Sequence, residues 1–193
     1  MSNSDLLMPS RRAMLGNAGR TLSLAGIAMV VGSCSSATPS ASADDVSGDV
    51  QILNAAIGLE HEGIAAYQIA ATSGLLDPAV LDIGITFQSH HKQHRDELVK
   101  AVQALGGTPA EEKALDEYAA DLNAASLSNQ TDILRLALRL ERGAANAYLG
   151  LIPSLSTDFH QIAAQMAGDE AFHAAILANA LGEPIPKSAL MFG

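Results

Sequence analysis

From residue 44 to the C-terminus, breaker signals divide the chain cleanly into four long stretches, each of a length and pattern that fits a helix. A first stretch from about Asp49 to Thr72 stops at Ser73-Gly74, the glycine signal of a helix C-terminus. Asp77-Pro78 reads as an N-cap followed by proline at the first helical position, and this second stretch runs to Gly106-Gly107. A third begins between Ser128 and Asp132 and ends at Pro153. The fourth starts at Thr157 or Asp158 and ends at Gly182, where Pro184 and Pro186 block continuation. Composition agrees: 48% of residues are apolar but only 4% are aromatic, and alanine recurs throughout, which favours helix over strand.

Connection lengths then set the topology. About four residues join the first helix to the second and the third to the fourth, so each pair is expected to form an antiparallel hairpin. About twenty residues, Gly107 to Leu127, separate the second helix from the third, enough to run the length of a bundle and make those two helices parallel. Thr108-Pro109-Ala110-Glu111 has the capping-box pattern and predicts a short helix opening there. No segment alternates with period two, so no sheet is expected. The fold class is therefore all-α: a four-helix bundle of two antiparallel hairpins with one long crossover between helices 2 and 3.

The inward stripe of each helix, followed at three- and four-residue spacing, is apolar except near its middle. The stripes read Leu53, Ala56, Ile57, Glu60, Ile64, Tyr67, Ala71; then Val80, Ile83, Phe87, His91, His94, Leu98, Val102. The third and fourth read Leu134, Leu138, Glu141, Ala145, Tyr148, Ile152 and Phe159, Ala163, Met166, Glu170, His173, Leu177, Leu181. Arg135, Arg139 and Arg142 account for the solvated face of the third helix, so Glu141 belongs to the interior. A lone carboxylate in such a core costs several kcal/mol unless it is paired or ligates a cation. Glu60, His91, His94, Glu141, Glu170 and His173 converging at mid-height therefore point to a bound metal. Glu170 and His173 have the Glu-x-x-His spacing that places two ligands on one helical face, and His91 and His94 repeat it with His in place of Glu. His90 is an alternative to His91, since it stands four residues before His94. Glu62, His61 and His160 fall off the stripes and are expected to be solvated. Tyr67 and Tyr148 each follow a Glu by seven residues, an internal repeat that relates the two hairpins by an approximate twofold axis. Both tyrosines are expected to pack in the core with a bonded hydroxyl.

Leu59-Glu60 with Tyr67, His90-His91-Lys92-Gln93-His94, Leu140-Glu141 with Ala147-Tyr148, and Asp169-Glu170-Ala171-Phe172-His173 together resemble a ferritin-like domain over residues 47–183. The likeness is to the exported branch that includes desiccation-related proteins. It implies a ferritin-like bundle and, from the di-iron members, ligands at Glu60, His94, Glu141, Glu170 and His173. His91 departs from the pattern by standing where those members carry a Glu. The ligand charge falls from −4 to −3 and the set becomes richer in nitrogen, which suits one metal, or one strong and one weak site.

The N-terminus reads as an address. Ser10-Arg11-Arg12-Ala13-Met14-Leu15 opens a basic region, and Thr21 to Gly32 is an apolar run of signal-peptide length. The twin arginine resembles a twin-arginine export signal, and Val31-Gly32-Ser33-Cys34 resembles a lipobox whose Cys34 would be acylated. Cleavage after Ala41-Ser42-Ala43 is the alternative. The expected organisation is an export signal over residues 1–33, a flexible tether over 34–46, the bundle over 47–183 and a tail over 184–193. Cys34 is the one cysteine, so no disulfide forms within the chain. With 11 Lys and Arg against 21 Asp and Glu, the net charge of −10 argues against nucleic-acid binding and leaves a lipid anchor as the route to a membrane. The expected function is an exported metal-binding protein of the periplasm or cell envelope. It would use one or two ions of iron or manganese, with ferrous oxidation as the chemistry if it turns over. The competing reading is a non-enzymatic stress or desiccation-protective bundle with a structural or vestigial site.

Overall fold

The computed structural model describes residues 43–192. The expected export signal, Cys34 and the tether up to residue 42 lie outside the described residues. Four long helices, α1 (Ala43–Thr72), α2 (Pro78–Ala104), α4 (Gln130–Leu151) and α5 (Thr157–Ala180), form the bundle, and a short helix α3 (Leu115–Asp121) lies in the crossover. Among the described residues there is no strand. The most extensive packing is within the pairs α1–α2 and α4–α5, the two expected hairpins. Helix α1 begins at Ala43, six residues before the expected start, so the last residues assigned to the tether are helical.

The breakers act as read. Helices α2 and α5 end on Schellman turns: Gly106 and Gly182 adopt φ of 76° and 70°, where a side chain would be strained. Gly107 N–H donates to Val102 O and Glu183 N–H to Ala178 O, both at 2.9 Å. Asn129 caps α4 by accepting from Asp132 N–H at 3.0 Å. Asp77 precedes α2 as expected but its carboxylate does not cap. It accepts instead from Gln130 Nε2 at 3.2 Å, while Asp77 N–H donates to Gln130 Oε1 at 2.7 Å, tying the start of α2 to the start of α4.

The crossover departs from expectation. No helix opens at Thr108-Pro109-Ala110-Glu111. Asn54 on α1 claims that backbone, donating to Thr108 O at 3.0 Å and accepting from Ala110 N–H at 2.7 Å, so tertiary hydrogen bonds displace the local cap. The short helix starts later, at Leu115, with Glu117 accepting from Ala114 N–H at 3.0 Å. The same segment covers the outer face of α1 and buries His61, whose Nε2 lies 3.3 Å from Ala110 O. His61 is thus not solvated; His160 is half-buried, its Nε2 2.9 Å from Leu155 O, and Glu62 is half-buried.

Two apolar clusters fill the bundle. One gathers Leu53, Ile57, Leu98, Val102, Tyr148, Ala163 and Met166; the other gathers Tyr67, Phe87, Leu134, Leu138, Ala174 and Leu177. The interior Glu and His residues stand between these clusters in sequence along all four helices. The inward stripe fails at one end of α2, where Ile83 is 41% exposed and Val80 only half-buried. There the stripe faces a cavity rather than a neighbouring helix.

Candidate metal centre

Helical periodicity alone points His91 and His94 from α2, and Glu170 and His173 from α5, out of one face of each helix. Packing of the hairpins then brings Glu60 of α1 and Glu141 of α4 to the same depth. All six predicted residues are buried, and Glu60, Glu141, Glu170 and His173 are at most 1% exposed. His91 Nδ1 lies 2.7 Å from Glu60 Oε2 and its Nε2 3.3 Å from Glu141 Oε1. His94 Nδ1 is 3.0 Å from Glu170 Oε1, and His173 Nδ1 is 3.2 Å from Glu141 Oε2. Two groups of four result, Glu60–His91–His94–Glu170 and His91–Glu141–Glu170–His173, each offering ligand atoms within 4.8 Å of one another. The groups share His91 and Glu170, and such a buried His/Glu cluster could hold a metal ion.

A second set of residues orients the first. Tyr148 on α4 donates its hydroxyl to Glu60 on α1, and Tyr67 on α1 donates to Glu141 on α4. The Glu-to-Tyr offset of seven residues repeated in the sequence is therefore used crosswise, each hairpin's tyrosine holding the other hairpin's carboxylate. Both expected hydroxyl bonds are present. His94 Nε2 faces Asp169 Oδ2 at 3.2 Å, and His173 Nε2 faces His90 Nδ1 at 2.9 Å. His90 thus stands behind the cluster rather than replacing His91, its ring stacked on that of His173. Such outer partners fix ring orientation and tautomer at metal sites.

Charge compensation is nearly complete. Burial opposes the charged form of His94, but hydrogen bonds to Glu170 and Glu60 outweigh it and lift the imidazole to about 10. Burial likewise opposes charge on His91 and His173, and is outweighed for His91 by Glu141 and Glu60 and for His173 by Glu141 and Glu170, so both are raised. Burial would raise Glu60, yet His91 and His94 hold it below its ordinary value. Glu141 is also held low against its burial, by Glu170, His173 and His91. Glu170 moves the other way, pushed up by burial and by the adjacent Glu141. One acceptor is left over: Glu170 Oε2 is buried without a hydrogen-bond partner, its nearest cation His173 Nδ1 at 3.4 Å. An orphaned oxygen on Glu170, the carboxylate common to both groups, fits a cation.

Gly63 is a functional residue the sequence reading passed over. A Cβ there would lie 3.0 Å from His91 Cε1 and Nδ1, so the absence of a side chain is what lets the His91 ring sit against α1. Its signal was a glycine inside a long helix, which costs ~1 kcal/mol relative to alanine and so implies a packing reason. Asp169 was legible only as the neighbour of Glu170, since on the outer surface it looks like any solvated carboxylate.

Comparison of the fold finds a conserved hypothetical protein, rv2844, from Mycobacterium tuberculosis, with a TM-score of 0.63 and 25% identity, covering 76% of this chain and 99% of that one. A DUF305 fragment from Deinococcus radiodurans matches with a TM-score of 0.52 and 16% identity, over 70% of this chain and 95% of its own, and shows likeness of fold alone. No curated protein matches. The family model described as a ferritin-like domain matches residues 48–183, from the first turns of α1 to just past the end of α5. That span takes in both hairpins and every residue of the buried cluster, and the chain belongs to the ferritin-like domain family.

Proposed function

We propose that this is an exported metal-binding ferritin-like protein that holds iron or manganese through Glu60, His91, His94, Glu141, Glu170 and His173. The observation that carries the reading is the pair of overlapping ligand groups, with a buried, unpartnered Glu170 oxygen at their junction. His91 turns Nδ1 toward Glu60 and Nε2 toward Glu141. A neutral imidazole has one free lone pair, so it serves one cation at a time. This favours a strong site at Glu60, His91, His94 and Glu170, and a weaker one at Glu141, Glu170 and His173. A bound iron would supply one-electron redox chemistry, ferrous oxidation by oxygen or peroxide being the reaction such a site supports. The chain's own part is to hold the carboxylates with Tyr67 and Tyr148, to orient the rings with Asp169 and His90, and to exclude bulk water with the two apolar clusters.

The test is metal analysis of protein purified without chelator, beside Glu170→Ala. One to two ions per chain are expected in the first and a small fraction of that in the second; equal and negligible metal in both refutes the proposal. A second reading, a non-enzymatic protective bundle of the cell envelope, is favoured by the self-neutralising cluster, since three carboxylates facing three imidazoles stand without any cation. Ferrous oxidation no faster than in buffer alone would decide for it. Export follows in this proposal from the basic and apolar N-terminal pattern, with Cys34 as the anchor if the lipobox is used. Among the described residues no helix is long and apolar enough to cross a membrane.

A further inference from the structure

A cavity of about 390 Å³ opens between the two hairpins on the Tyr67 side of the cluster. It is a partly open cleft rather than a closed void: α1, α2, α4 and α5 all contribute walls, its floor includes His91 and Glu141, which are 4% and 1% exposed, and its mouth is bounded by exposed residues such as Ile83 and Arg139. It exists because the lining positions that would fill it carry little bulk: Gly84, Ala66, Ala70, Ala137 and Ala144. The apolar stripe of α2 therefore meets open space at Val80 and Ile83 instead of a partner helix. Volumes of this order, roughly 300–1,000 Å³, are those of small-molecule sites.

The lining also specifies the ligand's chemistry. Its polar floor, Tyr67, His91 and Glu141, is already engaged, the Tyr67 hydroxyl donating to Glu141 and His91 facing both Glu141 and Glu60. A polar ligand would lose its hydration there without a free partner in exchange. The charged lining residues balance, Glu62 and Glu141 against Arg139 and His91, so the lining selects neither anion nor cation. A helix from another protein, about 10 Å across with its side chains, is too bulky for a space of about 390 Å³.

We propose that this cavity binds a small, uncharged, largely apolar molecule, an aliphatic chain or a single-ring compound, with one end against the Tyr67–His91–Glu141 wall. The ligand would then lie beside a bound cation, as substrate or as a plug that excludes water. That juxtaposition rests on the function proposed above, whereas the binding itself does not.

The experiment titrates the full chain, without metal, with the neutral fluorophore N-phenyl-1-naphthylamine and displaces it with 1-decanol. Ala137→Phe and Ala144→Phe each put a ring into the space from α4, and far-UV circular dichroism checks that helicity is kept. The expected result is saturable, decanol-displaceable binding that weakens about tenfold or more in each filled variant. Absence of saturable binding overturns the proposal, as does equal binding by both filled variants, which would place the probe elsewhere, for instance on the apolar run Thr21 to Gly32. So does a sedimentation result in which the probe binds only when a dimer dissociates, since a second copy would then fill the space. A cobalt(II) titration separates the two readings. Decanol should alter the cobalt absorption of the loaded wild type and not of Ala137→Phe; an unaltered spectrum overturns the juxtaposition. Probe binding with no cobalt uptake supports the cavity site while removing the metal function.

Discussion

In the metal-free protein the cluster stores protons, and metal must displace them. His91, His94 and His173 are all lifted above the ordinary imidazole value, His94 to about 10, by the carboxylates they face. Between pH 6.5 and 8.5 His94 is therefore protonated in the folded metal-free state, and His91, also raised well above the ordinary imidazole value with Glu60 and Glu141 on its two ring nitrogens, shares that direction. A divalent ion entering the Glu60–His91–His94–Glu170 group takes a lone pair from each of these two rings and releases two protons. Affinity should then rise about a hundredfold per pH unit, since each proton contributes about 1.4 kcal/mol per unit. Glu170, pushed up by burial and Glu141, adds to the slope at the acidic end. Unpaired imidazoles near the ordinary value of about 6.5 would behave differently, being mostly neutral above pH 7.5 and giving a slope near zero. Manganese(II) binding measured by calorimetry at pH 7.5 to 8.5, in buffers of different ionisation enthalpy, counts the protons directly. Fewer than one proton released per ion in that range would refute the ion-paired cluster as the resting state.

The same shifts govern stability. Raised imidazoles stabilise the fold fully below their unfolded value of about 6.5 and lose that contribution as pH rises through the folded value, about 10 for His94. Lowered carboxylates at Glu60 and Glu141 contribute fully above about pH 4.5 and lose that contribution progressively as pH falls from there through their lower folded values. The Tm of metal-free protein should accordingly peak between about pH 4.5 and 6.5 and fall toward pH 10, a decline that manganese loading should flatten in a calorimetric scan. Gly63→Ala should push the His91 ring off its position and lower manganese affinity with little loss of helicity, because the atoms nearest the added methyl belong to that ring; unchanged affinity by calorimetry would show that the ring has slack. His90→Ala removes the partner of His173 Nε2 and should weaken binding at the Glu141–Glu170–His173 site about 10–100-fold, as loss of an outer-shell partner does. Rescue by Asn at the same position would separate orientation of His173 from mere packing.

Much of this was legible because helices are local objects. Period, caps and breakers depend on residues within a turn or two, so the ends of α2, α4 and α5 and the two hairpins could be read from Gly, Pro and connection length. The six buried Glu and His were visible for the same reason: each interrupts an apolar stripe at the height where its counterparts interrupt theirs, and the i, i+3 spacing fixes a shared face. What failed involved a partner distant in sequence. Thr108-Pro109-Ala110-Glu111 has the pattern of a cap, but Asn54 takes its backbone. His61 lies off the stripe, but the crossover covers it.

Pairing was decided only by tertiary structure. That Tyr148 holds Glu60 and Tyr67 holds Glu141, that His90 backs His173 while His91 enters the cluster, and that α1 yields at Gly63 all depend on the rotation and offset of one helix against another. The cavity belongs to the same class. Each helix carries small residues in its own sequence, but whether they are packed over or left facing open space is a property of four helices together. Local geometry says which way a side chain leaves its helix, and the arrangement of the other three determines what it meets.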